Sequence, residues 1–111
     1  MNISKKDIVR IAKGFNGNLR SDSSLNYALQ KQSEKKLGEY AKLSYLIMAI
    51  IVDHPFTDGN KKTAAYVSFV FAEQLNKQVD SDLLKHHMIS IASRNLTSIR
   101  AIEERLKSAI K

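Results

Sequence analysis

The stretch YLIMAIIVDHPFTDGNKKTA, residues 45–64, decides the fold. Its first part, Tyr45 to Val52, is unbroken apolar sequence and belongs to a helical pattern that starts near Leu37. Tyr40, Ala41, Ser44, Ile47 and Ile51 recur at helical spacing, and the apolar residues between them widen the stripe all round. A helix apolar on every side is one that the rest of the molecule must cover. Pro55 stops it, because the residue before a proline avoids helical geometry. A second periodic run follows, with Ala64, Val67, Phe71 and Leu75 on one face. The spacing predicts central helices over Leu37–Asp53 and Asn60–Asn76, joined by a short loop.

Four more helices follow from caps and periodicity. Ser4 with Asp7 three residues on has the form of a capping box, and Ile8, Ile11, Ala12 and Phe15 then recur at helical spacing. Gly14 and Gly17 end that helix. Asp22 or Ser23 starts a short one carrying Leu25, Ala28 and Leu29. Asp80 or Ser81 caps a fifth, through Leu84, Met88 and Ile91. The last begins near Ser98 and aligns Ile99, Ile102, Leu106 and Ile110. The reading is an all-α compact bundle of about six helices, one domain over residues 1–111, with the loop of interest between the two central helices.

Composition sets the bounds. At 111 residues and 43% hydrophobic, the chain can build one core. Its one proline and four glycines leave few turns for an all-β fold. It has no cysteine, which excludes disulfides and thiolate metal sites and fits a cytoplasmic location. The first ten residues are polar and charged, unlike a signal peptide, and the apolar run is far too short to span a bilayer, so no membrane partner is expected. Net charge is +7. Basic charge favours phosphate-rich or acidic partners. It is spread along the chain without interleaved aromatic residues, so most of it reads as solvated surface and nucleic acid is not the first expectation. His86 and His87 have no companions at metal-ligand spacing and read as surface or packing residues.

The loop brings chemistry together. His54 is its only histidine, and a neutral imidazole can accept a proton near pH 7. Asp58 offers a hard carboxylate, of the kind magnesium takes one or two of while completing its shell with phosphate oxygens and water. Gly59 lets a phosphate approach the backbone. Asn60 and Thr63 carry donors, Lys61 and Lys62 carry positive charge, and a helix beginning at Asn60 would aim free N–H groups at the same place. Two lysines in a helix's first turn oppose its dipole, a local rule broken where function requires it. Phe56 reads as the core anchor of the loop. Base, metal ligand and anion cradle together suit transfer of a phosphate-containing group to a hydroxyl.

His54-Pro-Phe-Thr-Asp-Gly-Asn-Lys-Lys-Thr-Ala64 resembles the signature of the Fic/Doc family, H-x-F-x-[DE]-G-N-G-R-x-x-R. It is most similar to the Doc (death-on-curing) branch, which reads close to H-P-F-x-D-G-N-K-R-T-A, with Lys62 where that branch has arginine. Gly17-Asn-Leu-Arg-Ser-Asp22, followed by Leu25 and Ala28-Leu29, resembles the G-x-L-R-D…L-x-x-A-L segment near the start of Doc-type proteins. The resemblance implies that His54 is the catalytic base, that Asp58 helps hold Mg²⁺, and that Gly59, Asn60, Lys61, Lys62 and Thr63 grip the phosphates of ATP. It implies a flap near the active site that offers a strand-like edge to the target; the polar stretch 30–36 is the candidate.

In Fic proteins proper the residue after Asn is glycine, and AMP is transferred. The Doc branch has lysine there, as Lys61 is here, and is described as using ATP the other way round to transfer the terminal phosphate. The resemblance therefore implies a kinase-type toxin of a toxin–antitoxin pair. Its target would be a serine or threonine of a translation factor like elongation factor Tu, and the effect a halt in translation. The partner would be an antitoxin with an acidic or amphipathic tail helix lying in a groove. Lys62 keeps the charge of the family arginine and loses its bidentate fork. Ala65 stands at the second Fic arginine, as is usual in the Doc branch, and the inhibitory pattern [ST]-x-x-x-E-[GN] is not present. Two alternatives stay open: AMP transfer to a protein hydroxyl, and a non-catalytic basic binding module, with nucleic acid as its partner, that keeps the fold alone.

Overall fold

A computed structural model describes the chain from Met1 to Lys111. Six α-helices form it: α1 Lys5–Gly14, α2 Ser23–Gln30, α3 Glu39–Val52, α4 Asn60–Gln74, α5 Ser81–Arg94 and α6 Ile99–Ala109. They pack into a body of 31 × 30 × 24 Å. There is no sheet; two isolated antiparallel bridges, Leu19 with Phe56 and Val79 with Ile110, tie loops together. The all-α expectation is met.

The hydrophobic run in α3 determines the arrangement. Leu43, Leu46, Ile47, Ile50 and Ile51 are buried, and α3 packs against α2, α4, α5 and α6. Helix α4 lies beside it with Val67 and Phe71 inward, and carries α1 and α5 on its other sides. Tyr40 fixes the far end, donating its hydroxyl to the Ile110 carbonyl at 2.6 Å and meeting Phe71 edge-on.

The caps do what their residue types allow. Ser4 and Asp7 form the complete capping box of α1, Asp80 accepts from the Leu83 amide, and Ser98 accepts from the Ala101 amide. Asp22 differs. It sits at the N-cap of α2 without capping it, because its carboxylate pairs with Lys5 of α1.

The stretch expected to be an open flap is organised differently. Helix α2 runs on to Gln30, and Lys31–Ser33 forms a single 3₁₀ turn. Gln32 locks that turn to the N-terminal segment: its side chain donates to the Ile3 carbonyl at 2.8 Å and accepts from the Ile3 amide at 3.0 Å. No strand-like edge is presented there; the long-range pairing with Ile3 takes its place.

Candidate active site between α3 and α4

The loop leaves α3 through His54, whose φ is +50°. The three other non-glycine residues in the left-handed region are asparagines beyond helix ends, Asn16, Asn76 and Asn95, where that side chain is tolerated. His54 stands at the same place past the end of α3, and without asparagine's tolerance it bears roughly 1–2 kcal/mol of strain there. Neighbours impose it. The Arg20 guanidinium donates to the His54 carbonyl at 2.8 Å. The Arg20 and Ser21 amides both donate to the Pro55 carbonyl, at 2.7 and 3.2 Å. The imidazole itself belongs to an exposed residue.

Those contacts continue along the loop. The Thr57 amide donates to the Asn18 carbonyl at 2.9 Å, and the Asn18 amide donates to the Thr57 hydroxyl at 3.0 Å. Phe56 is buried beneath this ladder, as an anchor must be. A side chain at Gly17 would bring its Cβ within 2.4 Å of the Asp58 carbonyl, so only glycine lets the two segments meet. The two segments singled out by sequence, 17–22 and 54–64, thus form one structure. Arg20 is the residue whose part in it sequence reading missed; its place in the G-x-L-R pattern was the available signal.

Asn60 closes the loop from the other end. Its amide group donates to the Phe56 carbonyl at 3.0 Å, and its carbonyl oxygen accepts from the Phe56 amide at 3.2 Å. That side chain acts as a brace, so an anion arriving at this position would meet only the main chain. Gly59, with φ of +70°, is the N-cap of α4 and provides no side-chain cap. The N–H groups of the first turn, which have no intrahelical acceptor, therefore remain available. Lys61 and Lys62 project from that turn into solvent, and no acidic residue accompanies them.

Thr63 is the exception among the expected phosphate ligands. It is fully buried, and its hydroxyl has no hydrogen-bond partner. Three residues past the start of α4 the helix has turned toward the core, so Thr63 sits behind the first turn and cannot touch a phosphate at its mouth. Asp58 is exposed, and one of its oxygens accepts from the Gly59 amide at 2.8 Å.

No three acidic or histidine side chains converge on a point that could hold a metal ion. One free carboxylate oxygen suits a magnesium ion that arrives with a nucleotide and takes its other ligands from phosphate and water. It does not suit an ion held by the protein alone.

Beside this mouth lies a groove of about 370 Å³ between α1, α4 and α5. Its floor is apolar, with Phe15, Tyr66, Phe69 and Ile89, and three lysines rim it: Lys61, Lys62 and Lys85. Phe15 meets Tyr66 edge-on at 6.3 Å. Lys85 was not foreseen, because only the packing of α5 on α4 brings it to the other two. No protein-family model matches the chain, and no curated protein and no solved structure matches it either.

Proposed function

We propose that the chain is a Doc-type phosphotransferase that moves the γ-phosphate of ATP to a serine or threonine hydroxyl of a protein. One observation carries the reading. A single loop, held in a strained shape by a second chain segment, presents an exposed imidazole and an exposed carboxylate beside an uncapped helix N-terminus with two lysines in its first turn. A general base and an anion cradle, both exposed at one edge, are the parts such a transfer needs.

In this reading His54 takes the proton from the acceptor hydroxyl as its oxygen attacks the γ-phosphorus, and the bond from that phosphorus to the β–γ bridging oxygen breaks, releasing ADP. The first-turn amides of α4, with Lys61 and Lys62, meet the charge on the phosphate oxygens. Asp58 would hold magnesium, which neutralises phosphate charge when bound. The target is proposed to be a translation factor resembling elongation factor Tu, and the consequence a block of translation. The lysine-rimmed apolar groove supports the partner part of the reading: an acidic amphipathic helix, such as an antitoxin tail, matches both its floor and its rim. That helix would come to lie against Lys61 and Lys62 themselves.

The test uses ATP labelled separately at the γ- and α-phosphates, incubated with protein, Mg²⁺ and a cell lysate, beside His54→Ala. Protein label from γ alone, lost in the variant, is the expected result. Label from α would replace the proposal with AMP transfer, and Lys61→Gly would be expected to increase it. No label from either, with salt-sensitive binding of nucleic acid that survives His54→Ala, would replace it with a binding module.

A further inference from the structure

A second recess, of about 250 Å³, lies between α2 and α3 and ends at Asp53, the residue before His54. Tyr27, Tyr45 and Met48 give it an apolar lining, and Ser23, Ser24 and Asp53 give it polar groups. Two features set it apart from ordinary surface. The tyrosines form an edge-to-face pair at 6.2 Å that already hosts a cation: the Lys31 ammonium stands 4.9 Å from the Tyr27 ring centre and 5.1 Å from that of Tyr45. Asp53, in a chain of 18 lysines and arginines against 11 acids, forms neither an ion pair nor a side-chain hydrogen bond.

We propose that this recess is a subsite for a basic side chain of the target segment, a lysine or arginine flanking the hydroxyl that reaches His54. An ammonium or guanidinium is attracted to the electron-rich faces of aromatic rings, and an unpaired carboxylate at the end of the slot supplies the opposite charge. Neighbouring residues of an extended segment are about 3.8 Å apart, so a basic residue one or two positions from the acceptor would arrive beside the residue preceding the base. Lys31 is then a built-in competitor. It rests on the same two rings, steadied from outside by Glu34 at 3.1 Å, and an incoming side chain displaces it. The surrounding charges are thus Asp53 and Glu34 for the incoming cation and Lys31 against it. The assignment rests on His54 being the base that receives the segment, and it adds what kind of segment that is.

The experiment follows Tyr27, Tyr45 and Met48 by NMR in the isotopically labelled protein. It is titrated with the blocked peptide Gly-Ser-Gly-Lys-Thr-Gly-Ser, and with the same peptide carrying norleucine in place of lysine. The lysine peptide is expected to shift these three residues and to bind about tenfold more tightly. Lys31→Met, which frees the rings, is expected to tighten it further, and Tyr27→Leu to weaken it to the norleucine level. Tyr27 is half exposed, so the variant keeps its fold, checked by circular dichroism. Equal binding of the two peptides, shifts elsewhere, or no gain in Lys31→Met would overturn the proposal. No step depends on transfer, so a recess that binds the lysine peptide in a protein that never labels a target would leave the subsite standing and remove the kinase reading.

Discussion

His54 carries both the proposed chemistry and a measurable strain. Replacing it by asparagine, which tolerates left-handed backbone, is expected to stabilise the fold by about 0.5–1 kcal/mol while ending any transfer. Urea denaturation beside the labelling assay checks both halves, and a destabilised His54→Asn would mean the φ value reflects no strain. The glycines give a sharper contrast. A Cβ at Gly59 would stand 2.7 Å from Phe15, at a φ of +70°, and one at Gly17 would strike the Asp58 carbonyl. Gly59→Ala and Gly17→Ala are expected to cost roughly 2–4 kcal/mol each. Nothing lies within 4 Å of a Cβ at Gly14. Gly14→Ala, at the end of α1, is expected to be neutral or stabilising by up to about 1 kcal/mol.

At the scale of elements, α4 begins against its own dipole. Lys61→Glu or Lys62→Glu is expected to raise thermal stability, by about 0.3–1 kcal/mol, and to weaken ATP binding measured by calorimetry. A variant that lost stability and kept ATP affinity would remove the functional explanation of these lysines. The helices themselves were legible, since Ser4, Asp80 and Ser98 announce their caps and the apolar period does the rest. Boundaries moved where backbone geometry decided them. Gly38 takes extended geometry at φ −69° and ψ 162°, so α3 starts at Glu39, and Asn76 turns left-handed, so α4 stops at Gln74. What sequence could not show were partners far apart in the chain, Gln32 locking to Ile3 and Lys85 joining Lys61 and Lys62, while the G-x-L-R pattern marked Arg20 without naming His54 as its partner. The inward turn of Thr63 was available from helical phase, because Thr63 is four residues before buried Val67, and the motif drew attention from it.

For the whole molecule, stability is expected to hold a plateau in neutral to mildly alkaline solution and to fall on both sides. Burial pushes the His87 imidazole below its usual 6.5, helped by the nearby charges of Arg105 and His86. The unfolded chain therefore binds that proton first, and stability is lost as pH falls from about 6.5 toward the lowered folded value. Further into acid, Asp7, held down by its hydrogen bonds with Ser4, Asp22 by Lys5 and Glu39 by the N-terminal ammonium contribute a second loss as they protonate. In alkali, Lys31, held up by Glu34 and then Tyr27, gives up its contribution as pH rises through its raised value. Melting temperatures measured across pH should show the first acid slope flattened in His87→Gln and the second unchanged. The ladder between residues 17–21 and 55–57 has a consequence for inheritance. Two helices and an eleven-residue signature can be copied from one protein to another by a small exchange of sequence, but here the signature's shape is set by backbone groups and the Arg20 guanidinium about 35 to 40 positions upstream. A scaffold given residues 54–64 alone would receive the letters of the site without its form; the smallest portable piece runs from Gly17 to Asn60 and on through the first turn of α4.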